Sequence, residues 1–287
     1  MKSCLLAVLV AALLAPMAAH AAGFVPDQGL YRVYQQDHLL GVERINFEQR
    51  SDSLVMTSKI RQRLPRGLSQ QDTLAKTAML VLGIKDGSWR SYQSYEQMNG
   101  DMLTRILTVA DTTYTSFRQG SEGGFGDTFA SPPGRVYVVD PQVFALFDVL
   151  CRDMHAQSFE ERTVTLLYVT SRDTVVTARV KRLGKVPFKL GNETVTAEKF
   201  SITDPWSEFI AWVSPNGRML RLTLPAVGLR VDRDPASLKT HPAARTNTPV
   251  PSGIPSITAT YDLPAKPGKP EAPATPKPGQ TPARPGR

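Results

Sequence analysis

Cys151 and His155, which stand four residues apart, are the pair best spaced to support catalysis. On a helix this spacing places a thiol and a base on one face, as in a hydrolase whose nucleophile is activated by a histidine. Phe144, Phe147 and Leu150 are predicted to share that face, and no glycine motif for an oxyanion hole flanks the cysteine. The pattern therefore favours a buried, apolar cysteine, and a hydrolase using Cys151 or a histidine is the least favoured alternative.

A glycine-rich segment, residues 120–134 (GSEGGFGDTFASPPG), is a second place where chemistry might be sought. A phosphate-binding loop joins a strand to a helix and usually carries Lys followed by Ser or Thr. Here the glycines are followed by Asp127 and by Pro132-Pro133, so the segment is predicted to be a flexible connection. The sequence also lacks the Gly-x-Ser-x-Gly motif of serine hydrolases, and we assign no catalytic residue.

Residues that could hold a metal ion are sparse in the sequence. Neither two histidines nor two cysteines occur at the short spacings typical of zinc sites. Glu160 and Glu161 are adjacent, so in a strand they would point to opposite faces. Asp232 and Asp234 would share a face, but they adjoin Pro235 and are interpreted as a solvated boundary. We therefore predict no metal site and no cofactor.

Aromatic residues give the remaining indication of a binding site. Trp206, Phe209 and Trp212 lie within seven residues, and in an extended chain the two tryptophans fall on the face opposite Phe209. Together with Phe144 and Phe147 they could line an apolar cleft for a lipid-like or amphipathic ligand. The alternative, which the size of the protein favours, is that these five side chains simply fill the core.

Residues 1–22 have the pattern of a secretory signal peptide. Lys2 precedes the apolar run Leu5 to Leu14, and small residues stand at Ala19 and Ala21 before the expected cleavage site. The run is much shorter than the roughly 20 residues that span a bilayer. We therefore predict export to the periplasm, or to the outside, of a bacterium, with no integral membrane segment after cleavage. The exported chain keeps one cysteine and forms no internal disulfide.

Residues 235–287 have the composition of a proline-rich, basic tail. They contain 13 of the 23 prolines and carry a net charge of +5. Proline lacks an amide donor and restricts the preceding residue, so from Pro264 onward the tail is predicted to be extended and to lack helix or sheet. Such a tail could contact an anionic cell-envelope polymer, and the alternative is a solvated tail with no partner.

The net charge of +8 belongs mainly to the two ends of the chain. Lys2 carries one of these charges and the tail carries five, which leaves +2 for residues 23–234. A nearly balanced surface on an exported protein gives no support for nucleic acid as a partner.

Residues 23–234 are rich in short segments typical of β-strands. Residues 30–35 and 42–47 predict a hairpin joined by residues 36–41, and further strands show an apolar residue at every second position. Val176, Ala178 and Val180 are one such set. The other predicted strands are residues 54–60, 77–84, 88–95, 103–109, 112–117, 163–170, 174–181, 194–202, 209–213 and 218–224.

One amphipathic helix interrupts the strands. Asp140 and Pro141 are suited to its N-cap and first turn, and they precede the predicted face described above. The fold class predicted is therefore mainly β. We expect a curved antiparallel sheet or open β-barrel with one short helix on or in its mouth, forming a single domain.

Two stretches of sequence resemble known proteins. GLYRVYQQDHLLGVERINFEQRSDS is similar to the first hairpin, and VTAEKFSIT followed by FIAWVSPNGRMLRLTLP to the closing strands, of bacterial exported β-rich proteins of uncharacterised function. Some of those proteins resemble periplasmic lipoprotein carriers, in which a curved antiparallel sheet covered by helix encloses an apolar cavity. The chain departs from the carriers in having one predicted helix and a long tail. The resemblance transfers no functional residue.

Three functions are compatible with these patterns. The first is a non-enzymatic cell-envelope protein that binds an apolar or amphipathic ligand, or a protein partner, in a cleft between helix and sheet. The second is a scaffolding protein whose tail contacts anionic envelope polymer, and the third is the hydrolase. Whether the barrel interior is hollow or filled separates the first two.

Overall fold

The computed structural model describes residues 26–66 and 70–238. All of them lie in the first of two units into which the chain divides, residues 1–244 and 245–287. The predicted signal peptide and the tail from residue 239 onward lie outside the described residues.

The described residues form a single sheet of fifteen strands and one α-helix. The helix, α1, spans Ala145–Ala156, and two short 3-10 turns span Pro225–Val227 and Pro235–Leu238. The strands are β1 (Asp27–Gln35), β2 (His38–Gln49), β3 (Ser53–Arg66), β4 (Gln70–Gly83), β5 (Trp89–Met98), β6 (Asp101–Ala110), β7 (Thr113–Gly120), β8 (Gly123–Ala130), β9 (Val136–Val139), β10 (Glu161–Tyr168), β11 (Thr174–Leu190), β12 (Glu193–Thr203), β13 (Glu208–Val213), β14 (Met219–Leu224) and β15 (Leu229–Arg233).

Strand order follows the chain in two halves that meet in the middle. Across the sheet the strands run from β8 down to β1 and then from β15 down to β9. Strands β1 and β15 therefore pair at the centre. All pairs are antiparallel except β9 with β10, which flank the helix in the sequence. This confirms the predicted fold class: mainly β, with a large curved antiparallel sheet that does not close by backbone pairing.

Side chains join the β9 end of the curved sheet to strands β4, β5 and β6. The hydroxyl of Tyr92 on β5 donates to Asp140, which follows β9, at 2.8 Å. The ammonium of Lys76 on β4 lies 2.7 Å from the same carboxylate. Arg105 on β6 donates to the backbone carbonyl of Thr170 beyond β10. These contacts, rather than a β-ladder, hold the structure in its barrel-like form.

Helix α1 fills the space enclosed by the sheet. Residues 145–154 are all buried, so the helix has no face toward solvent over these ten positions. Its apolar side chains form one continuous core with inward-facing side chains such as Tyr31, Phe47, Met56 and Leu107. The interior is therefore filled, and the one predicted helix packs against the inner face of the sheet.

The predicted flexible connection at residues 120–134 is wrong. Residues 123–130 form β8, an edge strand that pairs with β7 from Thr113↔Ala130 to Gly120↔Gly123. The ring of Phe117 on β7 lies 3.3 Å from where a Cβ on Gly124 would stand. Glycine permits this close approach. Because nearly all residues of β8 are exposed, the strand lacks the apolar alternation by which strands are predicted.

The first hairpin is tighter than predicted. Its connection is the two-residue turn Gln36-Asp37, with φ of 47° and 68°, instead of residues 36–41. Positive φ at both central positions is the geometry of a type I′ turn, which Asn-Gly normally signals in sequence. Asp37 is held there by Arg230, at 2.6 Å. Neither Gln36 nor Asp37 is a glycine, so the usual signal for this turn is missing from the sequence.

The predicted start of the helix is also wrong. Asp140 and Val143 form a β-bridge, and the helix begins at Ala145 with Phe144 as its N-cap residue. The side chain of Asp140 contacts Tyr92, Lys76 and the backbone N–H of Gln142, which precedes the helix, so it caps no helical N–H group. The acceptor for the first helical N–H groups comes instead from another strand.

An unpredicted strand, β15, includes Asp232 and directly precedes Asp234, the two residues interpreted as a solvated boundary. Asp232 lies within β15, where it pairs with Arg32 on β1 and with Arg221 on β14. Charged residues flank Val231 on this strand, so its sequence contains no apolar run that would predict a strand.

Candidate functional site

The five aromatic residues proposed to line a cleft do not come together in the structure. Phe144, Phe147 and Phe209 are buried in the core, where the rings of Phe147 and Phe209 lie 4.7 Å apart. Trp206 lies before β13 and is 62% exposed. Trp212 is on the face of β13 opposite Phe209. Three of the five therefore contribute to the core, and the two tryptophans lie elsewhere.

Cys151 and His155 do not form a catalytic pair. The thiol is 1% exposed, and burial raises its pKa far above the usual range. The Nδ1 atom of His155 lies 2.9 Å from Glu198, and its Nε2 atom lies 3.0 Å from the carbonyl of Pro215. Both ring nitrogens are thus engaged away from the cysteine. His155 ties the end of the helix to β12 and to the β13–β14 turn.

Sequence analysis missed a buried ionic cluster beside the helix. We call it the Asp–Arg cluster, and its members are Asp27, Asp148, Arg152, Arg218 and Arg233. These residues lie on β1, on α1, between β13 and β14, and on β15. The spacing in sequence is too long for any local pattern to reveal the cluster.

Asp27 is the centre of the Asp–Arg cluster. One guanidinium nitrogen of Arg233 lies 2.8 and 2.7 Å from its two carboxylate oxygens. Arg152 also donates to Asp27, and Nε of Arg218 lies 3.3 Å from it. Asp148 is the second carboxylate of the cluster, and it accepts a hydrogen bond from Arg152 at 3.1 Å. Each carboxylate therefore serves more than one arginine.

The Asp–Arg cluster has more positive than negative charge. Three arginines share two aspartates, so a surplus of one positive charge remains. The side chain of Arg218 is 11% exposed, against 6% for Arg152 and 0% for Arg233. Arg218 is therefore the member through which this surplus charge reaches the surface.

Arg218 lines a pocket of about 770 Å³, which we call the apolar pocket. The pocket lies between the β11–β12 turn, the β13–β14 turn and the segment after β15. Its volume is within the range of about 300–1,000 Å³ typical of sites for small molecules. The other residues that line it are Leu190, Gly191, Asn192, Glu193, Val195, Ser214, Pro215, Asn216, Leu220, Pro235, Ala236 and Leu238.

A second hydrophobic cluster, separate from the main core, supports the apolar pocket. It is built on buried Phe188, Ala197 and Leu220, with Leu190, Val195, Trp212 and Leu238 packed around it. Leu190 and Val195 flank the turn of the β11–β12 hairpin. The run Val186 to Leu190 carries the apolar alternation that could have extended the predicted strand, which we ended at residue 181.

Two further features, a metal site and a membrane-spanning helix, are absent from the described residues. No group of three His, Cys, Asp or Glu side chains in this part of the chain could hold a metal ion. Nor does this part contain a helix long and apolar enough to cross a membrane.

Comparisons with known proteins give little further guidance. No family model matches the chain, and no curated protein matches it. Among solved structures it is similar to the beta-barrel-like protein of domain of unknown function DUF1849 from Brucella abortus. The match has 11% sequence identity and a TM-score of 0.49, and covers 73% of this chain and 95% of that chain. The resemblance to lipoprotein carriers stays a prediction.

Proposed function

We propose that this protein is a non-enzymatic cell-envelope protein that binds a small amphipathic molecule with an anionic head in the apolar pocket. The observation that carries the proposal is the pairing of an apolar wall with Arg218, the most exposed arginine of the Asp–Arg cluster. Leu190, Val195 and Leu238 would contact the apolar part of the ligand. Burial of the apolar part of the ligand supplies affinity, and the guanidinium of Arg218 orients its anionic head.

This pocket differs from the cleft between helix and sheet that the sequence suggested. The helix residues 145–154 are buried against the sheet, so the ligand is assigned to the outside of the barrel. The backbone around the pocket comes mainly from paired strands and their turns, which favours a preformed site.

The test uses the chain from residue 23 onward, with palmitate as the anionic probe and hexadecanol as the neutral one. We expect saturable binding of palmitate in calorimetry, with weaker binding of hexadecanol, which lacks a charge for Arg218. Leu190→Glu should weaken palmitate binding by about tenfold or more, since it removes apolar surface and adds a like charge. Leu183→Glu is the matched control, because Leu183 lies on the same strand, is 41% exposed and is outside the pocket.

Two results would contradict the proposal. One is an equal effect of the two substitutions, and the other is palmitate binding that Leu190→Glu leaves unchanged. Thermal unfolding of both variants would show whether either substitution has disrupted the fold.

Scaffolding through the tail stays a prediction, because the tail from residue 239 onward lies outside the described residues. Deletion of residues 264–287 is expected to reduce co-sedimentation with isolated cell envelope at low salt and to have little effect at high salt. Unchanged sedimentation would dismiss this role.

A further inference from the structure

A second concave surface lies on the outside of the barrel, across β2, β3, β4 and β5. Its volume is about 600 Å³, and we call it the basic groove. Arg44, Lys59 and Arg61 line it and are exposed, whereas their neighbours Glu43 and Ile60 point inward and are buried. The three cations thus share the outer face of two paired strands.

The register places these cations side by side on neighbouring strands. Arg44 on β2 lies directly opposite Lys59 on β3, and Arg61 is two residues further along β3. Like charges directly opposite each other destabilise a β-ladder, and neighbouring strands are only about 4.8 Å apart. No carboxylate among the described residues forms an ion pair with any of the three. The sheet therefore carries a repulsion that an external anion would relieve.

The remaining walls of the groove suit a molecule rich in hydroxyl groups. Thr77, Tyr95 and Gln97 present polar groups on the outer faces of β4 and β5. Tyr95 also offers a partly exposed ring, the kind of surface that packs against the C–H face of a sugar. Glu96 borders the groove, but its carboxylate lies 3.0 Å from the buried ammonium of Lys76. Lys76 also pairs with Asp140, so Glu96 keeps part of its negative charge, which the three cations of the groove outnumber.

We propose that the basic groove binds an acidic polysaccharide, a chain of sugars that carries a carboxylate at regular intervals. Three cations that stand side by side across two strands match a chain with repeated negative charges better than they match a single small anion, which could contact only part of the set. The concave shape admits a narrow chain and suits it better than the flat surface of a bilayer. This site is independent of the apolar pocket, since the two share no residue.

The test measures binding of labelled oligogalacturonate by fluorescence anisotropy, with a maltooligosaccharide of the same length as the neutral probe. The protein is the full chain from residue 23, so the basic tail is present throughout. We expect oligogalacturonate to bind at low salt and the neutral chain to bind much more weakly. The double variant Arg44→Gln/Arg61→Gln should raise Kd by about tenfold, the loss of two charge-assisted contacts.

The matched control is Lys181→Gln/Lys185→Gln, which removes the same charge from exposed positions on β11. It should change Kd by less than about twofold. An equal loss in both double variants would show that only net charge matters and would overturn the proposal. So would an unchanged Kd in the groove variant, or binding of anionic phospholipid vesicles without binding of oligogalacturonate.

Discussion

The carboxylate of Glu43 on β2 accepts a hydrogen bond from the backbone N–H of Ala145, 102 residues later, at 3.0 Å. It also accepts from the N–H of Phe144 at 3.0 Å and from the hydroxyl of Ser58 at 2.6 Å. A strand side chain thus replaces the local cap that the first turn of the helix lacks. This contact fixes the helix within the barrel and therefore the position of the Asp–Arg cluster behind the apolar pocket.

Glu43 makes the stability of the protein depend on pH. Burial raises the pKa of this carboxyl from 4.5 to about 7, although its three hydrogen bonds act in the opposite direction. The folded state therefore binds a proton that the unfolded state has lost between these two pH values. The free energy of unfolding should fall by up to about 3 kcal/mol as the pH rises from 4.5 to 7, and then level off.

Chemical denaturation across this pH range would check the prediction. Glu43→Gln should remove this part of the pH dependence, because glutamine does not titrate. Glu48→Gln is the matched control on the same strand, where the side chain is 52% exposed. If the wild-type chain and Glu43→Gln lost stability in parallel between pH 4.5 and 7, the assignment to Glu43 would be wrong.

The sheet was accessible to sequence analysis wherever one face of a strand is buried. Ala178 and Val180 were placed on an apolar side, and both are fully buried. By contrast, the N-terminal contact of the helix joins Glu43 to residues that lie seven strands further along the sequence. A glutamate between Val42 and Arg44 reads as a polar strand residue, so only the curvature of the sheet reveals its role.

The Asp–Arg cluster should tolerate the loss of its central aspartate poorly. Asp27→Asn would leave the three arginines with Asp148 as their remaining carboxylate in the cluster. Breaking a buried ion pair by removing one partner typically costs about 3–5 kcal/mol, because a buried charge is left uncompensated. We expect a loss of that size in the free energy of unfolding, measured by urea denaturation at pH 7.

Asp37→Asn provides the comparison for this change. Asp37 pairs with Arg230, but its side chain is 82% exposed, so the loss should be no more than about 1 kcal/mol. Similar losses for the two variants would mean that the cluster adds little beyond an ordinary surface pair.

The thiol of Cys151 should be inert in the folded protein. It is 1% exposed, and its pKa is raised by burial, so little thiolate is present or accessible at neutral pH. In the chain from residue 23 onward, iodoacetamide should label it only after unfolding, as followed by mass spectrometry. A Leu183→Cys variant should be labelled once in the native state. Rapid native labelling of Cys151 would reopen the hydrolase hypothesis.

The two surface sites were less accessible to sequence analysis than the sheet. Leu190, Arg218 and Leu238 come from three separate segments that meet only at one end of the barrel. The basic groove needs the register of β2 against β3, which brings Arg44 opposite Lys59. Apolar alternation predicts which face a residue occupies, but it does not predict which residues of neighbouring strands stand side by side.

Gly41 permits the close approach of β2 and β3 beside the basic groove. A Cβ at this position would stand 2.7 Å from the Cα of Gln62, and closer still to the carbonyl oxygen of Arg61. Because both neighbours are backbone atoms, the strands must separate to admit a methyl group. Gly41→Ala should therefore lower the free energy of unfolding by about 1–3 kcal/mol, measured by urea denaturation. Gly120→Ala on β7 is the control, since the nearest atoms lie 3.8 Å away and little or no loss is expected. If the two substitutions proved equally mild, Gly41 would not be holding β2 and β3 at this spacing, and the position of Arg61 in the groove would depend on other contacts.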